Sequence, residues 1–390
     1  MNFRVQANIP GQGYAEVVID GRKLTSVRAL GATKPDEPFI SPGFIDIQLN
    51  GFAGVNFSDP DLDADRAISI LPSVWETGVT TFCPTLITNT RGGLLRNFAV
   101  LEEARKKDER FDWAAPCYHL EGPYLSAKNA RGTHNAALIR YPDWNEFEDL
   151  QRAAGGRIAI ITLAPELPGA IDFIRRARAA GVVVAIGHTE ANSEQIHLAA
   201  QAGATLNTHL GNGCPEYIHR HRAPLWTQLS LDSLKATIIC DGFHLPPELV
   251  KAIVRVKGLE RTILLTDAVH VANLDPGRYS LVGTEIELLR TGQVVTLDRR
   301  SMAGSALTMN RAVTNFSRDA EVSLADAIRA ATTNPAEVLE RPGICSTIAE
   351  GQPANLVMFR CAREELEVEC VISAGEAVYA TSGCKMAEAL

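Results

Sequence analysis

The sequence contains no Cys-x-x-Cys pair, no basic run and no uncharged apolar stretch approaching the roughly 20 residues needed to span a bilayer. Its eight cysteines are scattered, and several lie in apolar runs, where Cys acts as a small hydrophobe. Residues 1–21 lack a charged leader followed by a long apolar core, so we expect no signal peptide. These absences favour a reduced, cytoplasmic protein with no membrane span.

The sequence also lacks a stripe of Arg and Lys, and its formal net charge is −8. A nucleic-acid partner therefore has no electrostatic support. An anionic small substrate stays open, because the local charge of a pocket is independent of the total. The chain has 390 residues, of which 46% are hydrophobic, enough for a sizeable core and more than one structural unit.

Eight short apolar runs alternate with helical patterns through the middle of the chain. The runs are often β-branched and do not alternate polar with apolar residues, as expected of parallel strands buried on both faces. Helical periodicity is clear at Ile171–Ala180, Glu194–Ala202 and Pro247–Lys257. This alternation predicts a parallel α/β domain, and eight repeats favour a (β/α)8 TIM barrel over an open sheet. The runs are Phe44–Leu49, Val79–Cys83, Pro116–Leu120, Ile158–Leu163, Val182–Ile186, Ala204–Thr208, Ala236–Cys240 and Ile263–Leu265.

Both ends of the chain resemble antiparallel strands rather than barrel units. We predict a small discontinuous β-domain formed by residues 1–40 and 350–390, and a barrel formed by residues 41–349. After the eighth run we predict a hairpin insertion over Tyr279–Leu297 and then two helices, at about 305–318 and 323–339. The strand-like terminal segments are Ala15–Ile19, Lys23–Leu30, Asn355–Phe359, Glu367–Ile372 and Ala377–Ala380.

Polar residues stand at the ends of five of the eight predicted barrel strands. Catalytic groups in such barrels cluster at the C-terminal ends of the strands, so this placement indicates a chemical site. The ends are His119-Leu120-Glu121-Gly122-Pro123, Gly187-His188-Thr189, Asn207-Thr208-His209, Asp241-Gly242-Phe243-His244 and Thr266-Asp267-Ala268.

Glu121, His188 and His209 form a set of ligands that suits a divalent metal ion. Two imidazoles and one carboxylate fit a borderline-soft ion such as Zn²⁺, and three protein ligands leave a position open for water. The metal lowers the pKa of that water toward ~7. Asp267, across the barrel mouth, is then the expected general base that later protonates the leaving nitrogen as a general acid. The sequence therefore predicts metal-dependent amide hydrolysis.

Each of these residues also has a purely structural interpretation. A lone His at a strand end is more often a hydrogen-bonded core residue than a ligand. Glu121 alone fits a helix cap or an ion pair, and Asp267 alone fits a turn. The joint spacing over successive strand ends favours the functional interpretation for these four residues. For three other histidines the structural interpretation leads: His197 on a helix, and His219 and His221 in a polar loop.

The chain resembles the N-acetylglucosamine-6-phosphate deacetylases of the amidohydrolase superfamily over nearly its whole length. The most specific motifs are His119-Leu120-Glu121-Gly122-Pro123 and Gly132-Thr133-His134-Asn135. The other matching motifs are Pro42-Gly43-Phe44-Ile45-Asp46, Gly78-Val79-Thr80-Thr81, Gly187-His188-Thr189, Asn207-Thr208-His209-Leu210-Gly211-Asn212, Asp241-Gly242-Phe243-His244, Thr266-Asp267-Ala268, Met302-Ala303-Gly304-Ser305, Asn334-Pro335-Ala336 and Gly351-Gln352-Pro353-Ala354-Asn355-Leu356-Val357.

The resemblance implies removal of acetate from the 2-acetamido group of a sugar 6-phosphate, a step of amino-sugar catabolism. It assigns the metal to Glu121, His188 and His209, and the acid and base roles to Asp267. His134 is implied to polarise the acetamide carbonyl or to hold the tetrahedral intermediate. The other implied substrate contacts are His244, then Asn212 and Gly213 for the phosphate or sugar, and Met302, Ala303 and Gly304 for the acetyl region.

The resemblance further implies a homodimer, because in the family an arginine from the neighbouring subunit completes the phosphate site. A guanidinium fork fits phosphate oxygens. The loop His219-Arg220-His221-Arg222-Ala223-Pro224 departs from the usual Arg-acidic-Pro pattern. We expect Arg220 to be the phosphate ligand, with Arg222 as the alternative.

The end of the first barrel strand predicts how many metal ions bind. Many amidohydrolases carry His-x-His there for a second metal, whereas this chain has Gln48-Leu49-Asn50. Amide side chains are poor ligands for transition metals, so we predict one divalent ion per subunit. Zn²⁺ is the chemical expectation, and Fe²⁺, Co²⁺ or Mn²⁺ fit the same ligands. The resemblance agrees, since the family has a single-metal branch with Gln-x-Asn.

Two other interpretations remain open at this point. The first keeps the chemistry and changes the substrate, to N-acetylgalactosamine 6-phosphate or to another N-acyl compound such as an N-acyl amino acid. The second is a catalytically inactive barrel that acts as a scaffold. A scaffold is expected to lose ligands or the strand-eight aspartate, and here all four residues are present.

Overall fold

A closed parallel barrel forms the centre of the protein. The structure is a computed structural model that describes residues 2–341, 343–362, 365–384 and 387–388. Barrel strands 1 to 8, numbered in chain order, are Phe44–Leu49, Val79–Ile87, Tyr118–Glu121, Ile158–Leu163, Val183–Ile186, Leu206–Asn207, Lys235–Ile238 and Thr262–Leu264. Each of the eight predicted runs contains or overlaps one of these strands.

The barrel strands pair side by side in the order of the chain. Strand 8 closes onto strand 1 through a parallel bridge between Leu49 and Ala268, beside which the Asp267 N–H donates to Gln48 O at 3.0 Å. Every residue of strands 1, 3, 4 and 5 is buried, as a sheet covered by helices on its outer face requires. The predicted TIM barrel is confirmed.

Helices cover the outside of the barrel. The three predicted between strands are observed at Ala170–Ala179, Ser193–Ala202 and Pro247–Lys257. The predicted helix at 323–339 is wrong as one unit, because it is split at Thr332 (φ −132°, ψ −79°). Pro335 has no N–H to continue the helical hydrogen bonds, so a second helix begins at Thr333. The other helices are Ala64–Ser69, Leu71–Trp75, Arg91–Lys107, Glu109–Ala114, Trp144–Ala153, Pro224–Ser230, Met309–Asp319, Leu324–Ala331 and Thr333–Leu339.

The two ends of the chain form one sheet beside the barrel. Along the sheet the strands are Glu376–Ala380, Glu365–Ser373, Leu356–Ala362, Phe39–Pro42, Asn2–Ile9, Gly13–Asp20 and Lys23–Gly31, and Ala387–Glu388 also pairs with Asn2–Ile9. Strands Asn2–Ile9 and Phe39–Pro42 were not predicted from the sequence pattern. The second of these strands leads into barrel strand 1 through Gly43 alone. The predicted sheet of both chain ends is confirmed, while the domain boundaries at residues 40 and 350 stay a prediction.

Alternate residues of one strand tie this terminal sheet to the barrel. On strand Leu356–Ala362, Leu356 and Met358 pack into a small separate core. Val357 and Phe359 instead join the main barrel core. This is the twofold alternation of side chains along a β-strand. The sheet therefore has its own core and also covers part of the barrel.

The insertion after strand 8 is a three-stranded antiparallel sheet, so the predicted hairpin is wrong in its number of strands. The strands are Gly277–Leu281, Thr284–Leu288 and Val294–Thr296. A turn in which Gly292 N–H donates to Leu289 O returns the chain for the third strand. The insertion packs on Val269, Val271 and Ala303, which sets it at the rim of the barrel mouth. Across the described ranges, each helix is too short or too polar to traverse a bilayer.

Candidate metal centre and active site

The predicted polar residues surround one cavity at the C-terminal end of the barrel strands. The cavity has a volume of about 480 Å³. Ten of the twelve predicted site residues line it. They are Glu121, His134, His188, His209, Asn212, Gly213, His244, Asp267, Met302 and Gly304.

Glu121, His188 and His209 converge on one point at the base of this cavity. Nε2 of His188 lies 3.2 Å from Glu121 Oε1, and Nε2 of His209 lies 3.0 Å from the same oxygen. One donor atom from each residue lies within 4.8 Å of the other two, and all three side chains are buried. Two imidazole nitrogens and one carboxylate oxygen, this close together, are a ligand set found in catalytic zinc sites.

The backbone is strained where three of these side chains enter the cavity. His188, His209 and Asp267 have φ values of +49°, +29° and +51°. A non-glycine residue in this region costs about 1–3 kcal/mol and persists only where the surroundings hold it. Hydrogen bonds do so here: His209 N–H donates to Thr237 Oγ1 at 2.7 Å, and Asp267 N–H donates to Gln48 O.

A hydrogen bond outside the cavity orients His188, and a glycine packs against the rings of both histidines. Nδ1 of His188 lies 3.0 Å from the carbonyl oxygen of Ala130. A proton on Nδ1 therefore donates to that carbonyl and leaves the Nε2 lone pair for a metal. Gly213 (φ +59°) packs between the rings, and a Cβ there would lie 3.0 Å from both His188 Nδ1 and His209 Cε1. Only glycine fits this position without displacing a ring.

The electrostatics of the cluster suit a cation. Burial opposes the charge of Glu121, but the adjacent imidazoles of His188 and His209 hold the pKa of its carboxyl well below the usual range. Burial likewise opposes protonation of His209, yet the Glu121 carboxylate raises its pKa. The carboxylate thus keeps its negative charge in a buried site. The donor set, its burial and its orientation fit a divalent metal ion.

Asp267 faces this cluster and is held by two amide side chains. Gln48 Nε2 donates to Asp267 Oδ1 at 3.0 Å, and Asn50 Nδ2 donates to the same oxygen at 2.6 Å. Burial and the nearby charge of Glu121 raise the pKa of Asp267, while the hydrogen bond from Asn50 lowers it. Because both amides bind Oδ1, Oδ2 is the oxygen available for proton transfer.

His134 lies against His188, with ring centroids 4.4 Å apart in an edge-to-face arrangement. Its Nδ1 lies 2.8 Å from Thr88 Oγ1. Burial, and then the neighbouring His188, lower the pKa of His134 to about 3, so the ring is neutral near pH 7. If the Thr88 hydroxyl donates to Nδ1, the Nε2 proton of His134 is available to an acceptor in the cavity.

His244 is the third histidine oriented by a partner. Its Nδ1 lies 2.7 Å from Asp241 Oδ2, while the N–H groups of Phe243 and His244 donate to Asp241 Oδ1, both at 2.8 Å. Although burial opposes it, the contact with His244 lowers the pKa of Asp241. The turn after strand 7 therefore presents an imidazole backed by a carboxylate.

Two predicted site residues do not line this cavity. Arg220 is exposed in the loop before helix Pro224–Ser230, as is its alternative Arg222. Ala303 is fully buried under the insertion, between the lining residues Met302 and Gly304. The role of Arg220 in a neighbouring subunit and the contact by Ala303 stay predictions.

The structure adds residues that sequence analysis did not single out. Thr88 and Ala130 orient His134 and His188 from loops distant in sequence. Gln48 and Asn50 were considered only as missing metal ligands, yet both bind Asp267. Arg300 lines the cavity as well. The one available signal for Arg300 was its place just before Met302-Ala303-Gly304.

Comparisons with known proteins agree with this architecture. Residues 39–378 match the amidohydrolase family. An N-acetylglucosamine-6-phosphate deacetylase of Bacillus subtilis (strain 168) is 31% identical, covering 83% of this chain and 81% of its own. A mutant N-acetyl-D-glucosamine-6-phosphate deacetylase of Mycobacterium smegmatis, solved with N-acetyl-D-glucosamine-6-phosphate, has a TM-score of 0.86 and 29% identity, covering 97% and 100% of the two chains. An N-acetylgalactosamine-6-phosphate deacetylase of Escherichia coli O157:H7 is 29% identical, covering 84% and 85%.

Proposed function

This chain belongs to the amidohydrolase family, and on that premise we propose that it removes acetate from N-acetyl-D-glucosamine 6-phosphate to give D-glucosamine 6-phosphate. The observation that carries the proposal is the buried cluster of Glu121, His188 and His209 facing Asp267 across one cavity. The relatives named N-acetylglucosamine-6-phosphate deacetylases support the choice of substrate.

We propose one divalent ion per subunit, held by Glu121, His188 and His209. Zn²⁺ is the first choice for this donor set, and Fe²⁺, Co²⁺ and Mn²⁺ fit the same atoms. When bound, the ion supplies a water of lowered pKa and polarises the acetamide carbonyl. The amide donors of Gln48 and Asn50 are engaged with Asp267, which supports a single ion rather than a pair.

The chain's own side chains supply proton transfer, stabilisation of the carbonyl oxygen and substrate binding. Asp267 Oδ2 accepts a proton from the attacking water and returns it to the leaving amine, while Oδ1 stays bound to the two amides. His134 is neutral, so its Nε2 proton can be donated to the carbonyl oxygen as negative charge develops there. His244 and Asn212 bind the sugar or its phosphate, and Met302 and Gly304 line the acetyl region.

Acetate release from N-acetyl-D-glucosamine 6-phosphate tests this function. We expect turnover by the metal-loaded protein, its loss with a chelator and its return when Zn²⁺ is added. The control is the same protein dialysed without chelator. A metal-loaded protein that binds the sugar phosphate but releases no acetate would overturn the proposal.

The galactosamine epimer is a second candidate, supported by the relative that carries that name. Both epimers present the same acetamide and 6-phosphate groups to the cavity. Comparing kcat/KM on the two sugar phosphates, their unphosphorylated forms and an N-acetyl amino acid separates the alternatives. A higher kcat/KM on the galactosamine compound would reassign the substrate.

We also propose a cytoplasmic homodimer. None of the eight cysteines, all of which lie among the described residues, forms a disulfide, which suits a reducing compartment. Tyr217 is 89% exposed and Trp226 44% exposed, and both flank the loop that contains Arg220. Large aromatic side chains exposed on one short stretch of chain suit a contact surface. A monomeric mass in solution at micromolar concentration would contradict the dimer.

A further inference from the structure

Apart from the proposed metal ion, the cavity of one subunit offers little positive charge to a phosphorylated substrate. Three carboxylates line it, those of Glu121, Glu216 and Asp267. A phosphate monoester carries about −1.5 to −2 charges at pH 7. Among the described residues that line the cavity, Arg300 is the only arginine or lysine.

A closed turn holds Arg300 at the cavity rim. The turn follows insertion strand Val294–Thr296, where Thr296 N–H donates to Ser301 O at 2.9 Å. Directly beyond it, Val295 and Met302 form an antiparallel bridge. The backbone of Arg300 is therefore tied to the segment that contains the lining residues Met302 and Gly304.

The guanidinium of Arg300 is available for a ligand. Its Nε lies 3.9 Å from Asp298 Oδ2, beyond hydrogen-bond distance, and its side chain is 86% exposed. Asp298 Oδ1 instead accepts from Thr296 Oγ1 at 2.6 Å and from the Arg300 N–H at 3.1 Å. The neighbouring Arg299 differs, because its Nη2 lies 3.4 Å from Glu287 Oε2 and it does not line the cavity.

We propose that Arg300 binds the phosphate group of the substrate from within the same subunit, an inference that rests on the function proposed above. Its planar fork matches two phosphate oxygens, and binding would exchange a weak contact with Asp298 for a charge-assisted pair. Arg220 and Arg222 do not line the cavity of their own subunit. Arg300 therefore gives each subunit a phosphate ligand that does not depend on dimer formation.

The test compares Arg300→Ala with the matched control Arg299→Ala. We expect Arg300→Ala to raise KM for N-acetyl-D-glucosamine 6-phosphate about tenfold with little change in kcat. Its kcat/KM on unphosphorylated N-acetyl-D-glucosamine should equal that of the unmodified protein. Arg300→Lys should raise this KM less than Arg300→Ala does, because lysine keeps the positive charge but lacks the planar guanidinium. Arg299→Ala should match the unmodified protein on both substrates.

Calorimetric binding of glucosamine 6-phosphate and of glucosamine separates this inference from the proposed function. If the unmodified protein releases no acetate, but Arg300→Ala weakens binding of the phosphorylated sugar alone, the function fails and the phosphate contact stands. If acetate is released and Arg300→Ala behaves like Arg299→Ala in both assays, the phosphate contact is refuted and the function stands. Loss of activity on both sugars would refute a phosphate-specific role.

Discussion

Replacing Asn50 with Ala should move the pH dependence of the reaction toward higher pH. Asn50 Nδ2 donates to Asp267 Oδ1 at 2.6 Å, inside a site where Asn50 is only 4% exposed. This bond stabilises the ionised carboxylate, and its loss therefore raises the pKa of Asp267. If Asp267 acts as the base, the acidic limb of kcat/KM against pH must follow that pKa.

The usual strength of a hydrogen bond to a charged group gives the expected size of the shift. A hydrogen bond to a charged group contributes about 1.5–3 kcal/mol, which corresponds to roughly 1 to 2 pKa units. Gln48 still donates to the same oxygen at 3.0 Å, so about 1 unit is expected. Gln48→Ala removes the longer bond and should give a smaller shift in the same direction.

The assay is acetate release measured from acid to neutral pH, with the same metal loaded into each variant. Asn97→Ala is the control, because Asn97 is equally buried and its Nδ2 donates to Phe57 O at 2.7 Å, away from the cavity. It should lower stability and leave the acidic limb unchanged. A uniform loss of kcat/KM for Asn50→Ala at every pH would refute the argument.

Three further predictions follow from the same geometry. Asp267→Asn should retain the metal and bind substrate while kcat falls by about 10²–10⁴, and near-normal turnover would assign proton transfer elsewhere. Metal analysis of active protein should give one ion per chain, and two ions at full occupancy would contradict the single-ion site. Burial raises the pKa of Asp46 from 3.8 to about 7, so the folded chain keeps that proton to higher pH than the unfolded chain. The stability contributed by Asp46 is therefore complete below about pH 4 and is lost as the pH rises toward 7. In urea titrations, Asp46→Asn should weaken this decline, and an unchanged pH dependence would contradict the shift.

The barrel was predictable because its strands are buried on both faces and so form continuous apolar runs. Ile158–Leu163 is predicted and observed with the same bounds. The first and last residues of the strands were predicted less accurately. Strand 6, predicted as Ala204–Thr208, is observed only at Leu206–Asn207. The terminal strand Asn2–Ile9 was missed, although it alternates buried with exposed side chains from residue 3 to residue 7.

The candidate site was predictable where topology alone places residues together. Glu121, His188 and His209 lie at the C-terminal ends of strands 3, 5 and 6 of a closed barrel, so their side chains meet at one end of it. Contacts between loops could not be predicted from the order of the strands. The pairing of Thr88 with His134, and the approach of Arg300 to the cavity, depend on how connecting segments fold back over the barrel mouth.

The seam between strands 1 and 8 has a consequence for the order in which the site is built during translation. Glu121 and His209 are 88 residues apart, whereas Gln48 and Asp267 are 219 apart. A ribosome therefore synthesises all three candidate ligands before it reaches Asp267, the residue to which Gln48 and Asn50 donate. If Asp267 is the base proposed above, hydrolysis must await the residues that join the last barrel strand to the first.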